Sequence, residues 1–337
     1  MPVRLKDIAQ ELGVSTVTVS KALRNHPDIA EATKQKILAR VKALNYRPNL
    51  TARSLVTGRS SLIGLVVPDL IHPYFSEIAK ALSAALRKKG YFLIVSSSDS
   101  DPVLEQNEIE HMLQHRLDCL IVASCQKSET SLRSTGAGNR LILLDRNFAG
   151  FACNFVGVND DKIGALATEH LIAQGCKRIA HIRGPENNVG NRRAEGCLET
   201  LRRHGLPVSE STVISVGEGA DSEGENLGAH AMDQILKMRP YPDGIFCFND
   251  VLAVGAMTRA LEAGLRVPRD MAIIGCGNYH YCSKLRVPLS SIDQNPVEMG
   301  KRIARMIAAV VEEPSAARPR SVILEPSLVV RASTQRK

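Results

Sequence analysis

The stretch Leu5-Lys-Asp-Ile-Ala-Gln-Glu-Leu-Gly-Val-Ser-Thr-Val-Thr-Val-Ser-Lys-Ala-Leu23 sets the architecture of the N-terminal region. Leu5, Ile8, Ala9 and Leu12 recur at i, i+3, i+4 and i+7, the spacing of an amphipathic helix. Gly13 stops that helix because it is free to take positive φ, and Ser15 is placed to cap the next one through its hydroxyl. The second helix is predicted from Thr16 to Arg24. In it Val19 and Leu23 turn toward the first helix, leaving Thr16, Val17, Thr18, Ser20 and Lys21 small, polar or basic. Ile37, Leu38, Val41 and Leu44 mark a third helix that completes an all-α core. Two helices joined by a three-residue turn form a helix-turn-helix, whose second helix enters the major groove of DNA.

Charge supports that reading. Residues 1–60 hold eleven Lys and Arg against four Asp and Glu, so the segment carries seven of the chain's net +8. A basic head on a nearly neutral body is the footprint of a polyanion-binding module. The 337 residues exceed one ordinary core, and the 44% hydrophobic fraction is that of a globular protein. Neither a membrane-length apolar run nor a signal peptide is evident, which places the chain in the cytoplasm, associated with the nucleoid. The eight cysteines then read as reduced thiols. Cys276, His280 and Cys282 lack a second pair at zinc-finger spacing, so neither metal nor cofactor is expected.

The quoted stretch, together with Leu44-Asn-Tyr-Arg-Pro-Asn-Leu-Thr-Ala-Arg-Ser-Leu55, resembles the signature of the lactose repressor and galactose repressor (LacI/GalR) family. The resemblance extends over essentially the whole chain. It implies a repressor that binds a near-palindromic double-stranded operator as a homodimer under allosteric control by a small molecule. Thr16, Val17 and Lys21 match the family's base-reading positions, with Thr18, Ser20 and Asn25 nearer the phosphates and Lys6 and Arg53 in the same DNA-contacting set. Lys can donate to guanine O6 and N7, and a Val or Thr methyl can meet that of thymine. Arg4 stands where the family usually has a capping Thr, so a weaker first cap is expected.

Headpiece 1–48 is followed by a hinge, 49–60, with one or two turns of possible helix. So short a helix is marginal alone. In the family, two such helices pair and push a Leu into the minor groove; Leu55 matches it and would act as an apolar wedge. The alternative is a flexible linker with an incidental Leu.

From Leu62 the pattern changes to apolar runs alternating with amphipathic stretches. Runs at 63–67, 91–95, 119–123 and 141–144, with helices near 75–89 and 104–115, are followed by a second set near 178–182, 212–216, 244–248 and 271–275. This rhythm predicts two doubly wound parallel sheets, hence an α/β body of two lobes facing a cleft. It resembles the periplasmic-binding-protein-like domain that the family carries. The resemblance implies three crossings between lobes, placed near 158–162, 290–293 and 318–322. The effector-binding and dimerisation domain, 61–337, then divides into a first lobe of 61–160 and 293–320 and a second of 161–292 and 321–332. Helix 296–312 returns to the first lobe and the final strands to the second.

Ligands of open parallel sheets sit beyond the carboxyl ends of the strands. Asp69, His72, Tyr74, Phe75, Ser97, Asp99, Asp145 and Arg146 occupy such positions in the first lobe, and Asn191, Arg193, Asn249 and Asp250 in the second, with Gln294 beside a crossing. From these the effector-binding set is Asp69, Tyr74, Phe75, Asp145, Arg193, Asp250 and Gln294, acids, amides and a guanidinium near aromatic faces as a hydroxyl-rich ligand requires. For Asp250, ligand contact and capping of the next helix both remain open. Gly277 stands where the family commonly has an Asp that accepts from ligand hydroxyls. That departure weighs against a standard hexose or purine and leaves a sugar acid or another polar metabolite open; the effector is expected to be a small polar metabolite, a sugar or a sugar acid.

Two other classes are weighed. A nucleotide-binding α/β enzyme would need a phosphate loop or nucleophile elbow, and no G-x-G-x-x-G after the first strand, G-x-x-x-x-G-K-[ST] or G-x-S-x-G occurs. A secreted sugar-binding receptor fits the body but not the basic head or the absent signal peptide. The chain ends soon after its last strand with no apolar heptad tail, consistent with a dimer.

Overall fold

The computed structural model describes residues 3–23, 25–46, 58–209, 212–217, 224–312 and 318–336. Contacts divide the chain into two units, Met1–Ser60 and Ser61–Lys337. Arg53, Leu55 and the proposed hinge helix lie outside the described residues.

The first unit contains α1 (Leu5–Glu11), α2 (Thr16–Leu23) and α3 (Glu31–Ala43). After α1 the Val14 N–H donates to the Ala9 carbonyl and the Gly13 N–H to that of Gln10, with Gly13 at φ +65°. This Schellman closure needs a residue that tolerates the left-handed region. Ser15 Oγ then accepts the Thr18 N–H at 3.0 Å and caps α2. At the start of α1, the guanidinium of Arg4 has no acceptor to offer. The Asp7 carboxylate supplies half a capping box by accepting the Arg4 backbone N–H at 2.8 Å. Ile8, Ala9, Val19, Ala22 and Ile37 form the core, with Leu23, Val41 and Leu44 packed against it.

The second unit has two six-stranded sheets. The first joins β1 (Leu62–Val67), β2 (Phe92–Ser97), β3 (Cys119–Val122), β4 (Leu141–Leu144), β5 (Asn154–Val158) and β11 (Ser321–Leu324), in spatial order β11-β5-β4-β3-β1-β2, all parallel. Around it run α4 (Pro73–Arg87), α5 (Pro102–Gln114), the short α6 (Thr130–Ser134) and α11 (Pro296–Glu312). The second joins β6 (Ile179–Arg183), β7 (Val213–Ser215), β8 (Gly244–Cys247), β9 (Ala272–Cys276), β10 (Ser290–Asp293) and β12 (Ser327–Val329), in order β12-β10-β9-β8-β6-β7. Only β12 runs antiparallel to its neighbour there. Helices α7 (Asp160–Ala173), α8 (Asn188–Arg203), α9 (Gly224–Lys237) and α10 (Asp250–Glu262) belong to this lobe.

Near-continuous burial of β1, β3, β4 and β9 explains their uninterrupted apolar runs, since helices cover both faces of a parallel sheet. The third crossing differs from the sequence expectation. β11 pairs with β5 in the first sheet: the Phe155 N–H donates to the Arg320 carbonyl and the Asn159 N–H to that of Leu324. The chain therefore crosses after Leu324, at Glu325 and Pro326, and 318–322 stays with the first lobe. Only β12 reaches the second sheet.

Candidate functional site: a helical DNA face and an interlobe cleft

On α2, Val19 and Ala22 are buried whereas Thr16 is exposed and Val17 is 60% exposed, so the opposite face is open to a groove. Thr18 and Ser20 are half-buried, and Lys6 is exposed on α1. Lys21 Nζ lies 2.9 Å from Asp28 Oδ2. An exposed, solvent-screened pair of this kind contributes little, so Lys21 can exchange it for a base edge at small cost. Asn25, at φ +57°, accepts from Lys34.

The strand ends of the two lobes enclose a cavity of about 20 Å³. His72, Tyr74, Phe75, Asp145 and Arg146 line it from the first lobe, and Arg193, Phe248, Asn249 and Tyr279 from the second, with Gln294 at the crossing. Tyr74 and Phe75 open α4, and Tyr74 Oη donates to Asp145 Oδ1 at 3.0 Å. Burial raises the Tyr74 hydroxyl well above its usual pKa, with the Asp145 carboxylate adding to the effect. This phenol stays protonated and holds Asp145 in place.

Arg193 is 3% exposed on α8. Its Nε donates to Asp160 Oδ1 at 2.9 Å, one terminal nitrogen donates to the Phe248 carbonyl at 2.7 Å, and the guanidinium carbon lies 4.6 Å from the Phe248 ring centroid. Asp160 is the first residue of α7, beside the crossing from β5. Burial pushes its carboxyl up to about 7, opposed by Arg193 and reinforced by Asp145. Contacts also span the lobes here: the His72 and Tyr279 rings meet edge-on at 5.6 Å, and Asn249 Nδ2 lies 3.5 Å from His72 Nε2.

Five of the seven effector candidates, Tyr74, Phe75, Asp145, Arg193 and Gln294, thus share one cavity. Asp69 and Asp250 do not. Asp69 Oδ1 accepts the Ile71 N–H at 2.7 Å in a local turn. Asp250 is fully buried, accepting from Ser291 Oγ at 2.7 Å, the Tyr279 N–H at 3.1 Å and Cys282 Sγ at 3.2 Å. It anchors the loop after β9. Nor is it the cap of α10, because Asn249 Oδ1 accepts the Leu252 N–H. Ser97 and Asp99 bond to one another, and Asn191 accepts from Arg183. Sequence reasoning missed Asp160 and Phe248; an acid opening a helix at a crossing was the available signal for the first.

A larger cavity of about 630 Å³ adjoins the first. Arg146 belongs to both walls. Asn147 and Asn188 meet across it from opposite lobes: Asn188 Nδ2 donates to Asn147 Oδ1 at 2.9 Å, and the Asn147 N–H lies 3.3 Å from Asn188 Oδ1.

Residues 4–49 match the family model described as bacterial regulatory proteins, lacI family, and residues 168–334 match a periplasmic binding protein-like domain. The HTH-type transcriptional repressor PurR of Actinobacillus pleuropneumoniae serotype 3 is 31% identical over 334 residues, covering 98% of both chains. The chain belongs to the lacI family of bacterial regulatory proteins. Another repressor named PurR, from Haemophilus influenzae strain Rd, is 32% identical over 336 residues, again with 98% of each covered. Among solved structures, the Lac repressor dimer bound to operator and the anti-inducer ONPF aligns with a TM-score of 0.86 at 26% identity, over 99% of each chain. A lacI-family regulator from Silicibacter pomeroyi aligns at 0.80 and 26%, over 99% of this chain and 100% of that one. These relatives are transcription regulators rather than enzymes. This lacI-family chain is a transcriptional regulator with a DNA-binding headpiece and an effector-binding body, the fold class expected from its sequence. Among the described residues, no helix is long and apolar enough to cross a membrane, and no cluster of three His, Cys, Asp or Glu side chains could hold a metal.

Proposed function

We propose that the chain is a cytoplasmic repressor that binds a near-palindromic operator as a homodimer, and that a small polar metabolite held between its lobes changes its grip on that operator. The carrying observation is an interlobe cleft walled by both lobes: Asp145 and Tyr74 of one face Arg193 of the other, and Asn147 of one meets Asn188 of the other beside a cavity of about 630 Å³. A ligand shifts lobe closure only if it contacts one arrangement better than the other, and a site built from both lobes supplies that difference. Thr16, Val17 and Lys21 read bases, and Thr18, Ser20, Asn25 and Lys6 sit nearer the phosphates. Arg53 and the Leu55 wedge act at the hinge. Two-fold symmetry of the protein requires two-fold symmetry in the site.

The test is selection of a binding site from random duplex DNA, followed by operator-affinity measurements with and without sugars, sugar acids and nucleobases. A two-fold symmetric consensus whose affinity changes with at least one metabolite is expected. No consensus, or an asymmetric one, would refute the proposal.

A further inference from the structure

The smaller cavity of this chain is largely filled by its own aromatic side chains. Tyr279 is 1% exposed. Gly277 has φ +130°, and a Cβ added there would lie 2.3 Å from Tyr279 Cζ and 2.7 Å from its Oη. No larger residue can stand at 277 while the Tyr279 ring keeps this position. The ring continues to His72 of the other lobe, and Arg193 covers one face of Phe248. The remaining 20 Å³ is room for about one water.

The larger chamber has different chemistry. Its 630 Å³ falls within the roughly 300–1,000 Å³ of small-molecule sites. Its wall offers the side-chain amides of Gln126, Asn147, Asn187, Asn188 and Asn191, and its only aromatic ring among the described residues is Phe148. Amides both donate and accept, as sugar hydroxyls require, whereas a flat base needs ring faces to stack on. At the depth of the chamber lies Arg146, 7% exposed and donating to the Ser124 carbonyl at 3.3 Å. A planar guanidinium can hold both oxygens of a carboxylate, and burial strengthens that contact. Lys127 adds a second positive charge at the rim, while Glu186 on the opposite rim faces Arg183 at 3.6 Å.

We propose that the effector seats in this larger chamber and is a polyhydroxylated monocarboxylate, a sugar acid, with its carboxylate on Arg146 and its hydroxyls on the Asn147 and Asn188 amides. The Tyr279 ring helps fill the neighbouring small cavity, which leaves no room for the ligand there. Because Asn147 and Asn188 come from opposite lobes, the ligand that joins them holds the cleft closed. The assignment rests on the effector-controlled reading above, and the experiment separates failure of the two.

The probes are D-gluconate, D-galactonate and D-glucuronate, with D-glucose, D-galactose, guanine and hypoxanthine as uncharged counterparts. Calorimetric affinity and operator affinity are measured on the full-length protein, its Arg146→Gln variant and its Asn188→Ala variant. At least one acid is expected to bind and change operator affinity, and Arg146→Gln should weaken it about 30-fold, the loss of a charge-assisted pair. Asn188→Ala should weaken it less, and it carries the test alone if Arg146→Gln fails to fold. If an uncharged probe controls operator affinity and no acid does, the sugar-acid assignment falls and the effector reading stands. An acid that binds both variants as tightly as the parent overturns the placement. If no probe binds or alters operator affinity, both readings fail.

Discussion

Replacing Arg193 by Met keeps much of its volume and removes its charge, which tests whether the interlobe cluster is a charge device or mere packing. In the parent protein the buried guanidinium is bonded to Asp160 and to the Phe248 carbonyl. At pH 5.5 the variant's Asp160, its pKa pushed up by burial with no guanidinium to oppose it, keeps its proton. The substitution then removes hydrogen bonds and should cost about 1–3 kcal/mol. At pH 8.5 the parent holds an ionised pair, while the variant must bury a lone carboxylate or hold its proton against the solvent, at a cost of about 3–5 kcal/mol. The sign follows from linkage. A carboxyl whose folded pKa exceeds its unfolded value of about 3.9 contributes stability that is complete below pH 4 and lost as pH rises through the folded pKa. Without Arg193 the folded pKa is higher still, so the variant continues losing stability after the parent has stopped. Urea denaturation at the two pH values should show the penalty growing by about 2 kcal/mol. Operator affinity with and without effector, measured alongside, should show a lost response. Equal penalties at both pH values would refute the charge argument, and an unchanged effector response would show that the Arg193 cluster does not couple lobe closure to the operator.

Other consequences lie along the whole chain. Lys21→Ala should alter base preference at one operator position by about 1–3 kcal/mol, read by competition among singly substituted operators. Leu55→Ala should weaken specific binding and reduce DNA bending in a circular-permutation gel assay, with less effect on dimerisation by ultracentrifugation; an intact bend would show that Leu55 is no wedge. His181 is fully buried, stacked on Phe246 with ring centroids 4.4 Å apart, and burial lowers its pKa to about 3. A depressed folded pKa contributes stability above the unfolded value near 6.5 that is lost as pH falls, about 2 kcal/mol between pH 7 and 5. His181→Gln should therefore lose about 2 kcal/mol less than the parent over that interval in urea titrations.

The elements most legible in the sequence were those set by local chemistry. Gly13 and Ser15 specify a helix stop and a cap within three residues, and both form as their types require. The runs at 63–67, 119–122 and 141–144 are legible because strands buried on both faces need no alternation. Legibility failed where a choice depends on distant partners. Ser321–Leu324 reads as a short strand in either lobe, and its place in the first sheet is decided by pairing with β5, about 165 residues earlier. Asp250 was misplaced for a related reason. An acid after a strand looks the same in sequence whether it meets a ligand, caps a helix or satisfies donors from a loop 30 or 40 positions away. Phe248 escaped notice because its contribution comes through its carbonyl and ring face, which only the Arg193 contact reveals.

The central claim is that a basic headpiece anchors each protomer of a dimer to a symmetric operator, and the salt dependence of operator affinity tests it most directly. Eleven basic residues against four acids in residues 1–60 of each protomer should displace counterions from several phosphates. With about 0.9 of a counterion released per phosphate, a plot of log affinity against log salt should fall with a slope of about −5 or steeper on a two-fold symmetric site. A slope near zero, or the same slope and affinity on an asymmetric half-site, would contradict the account.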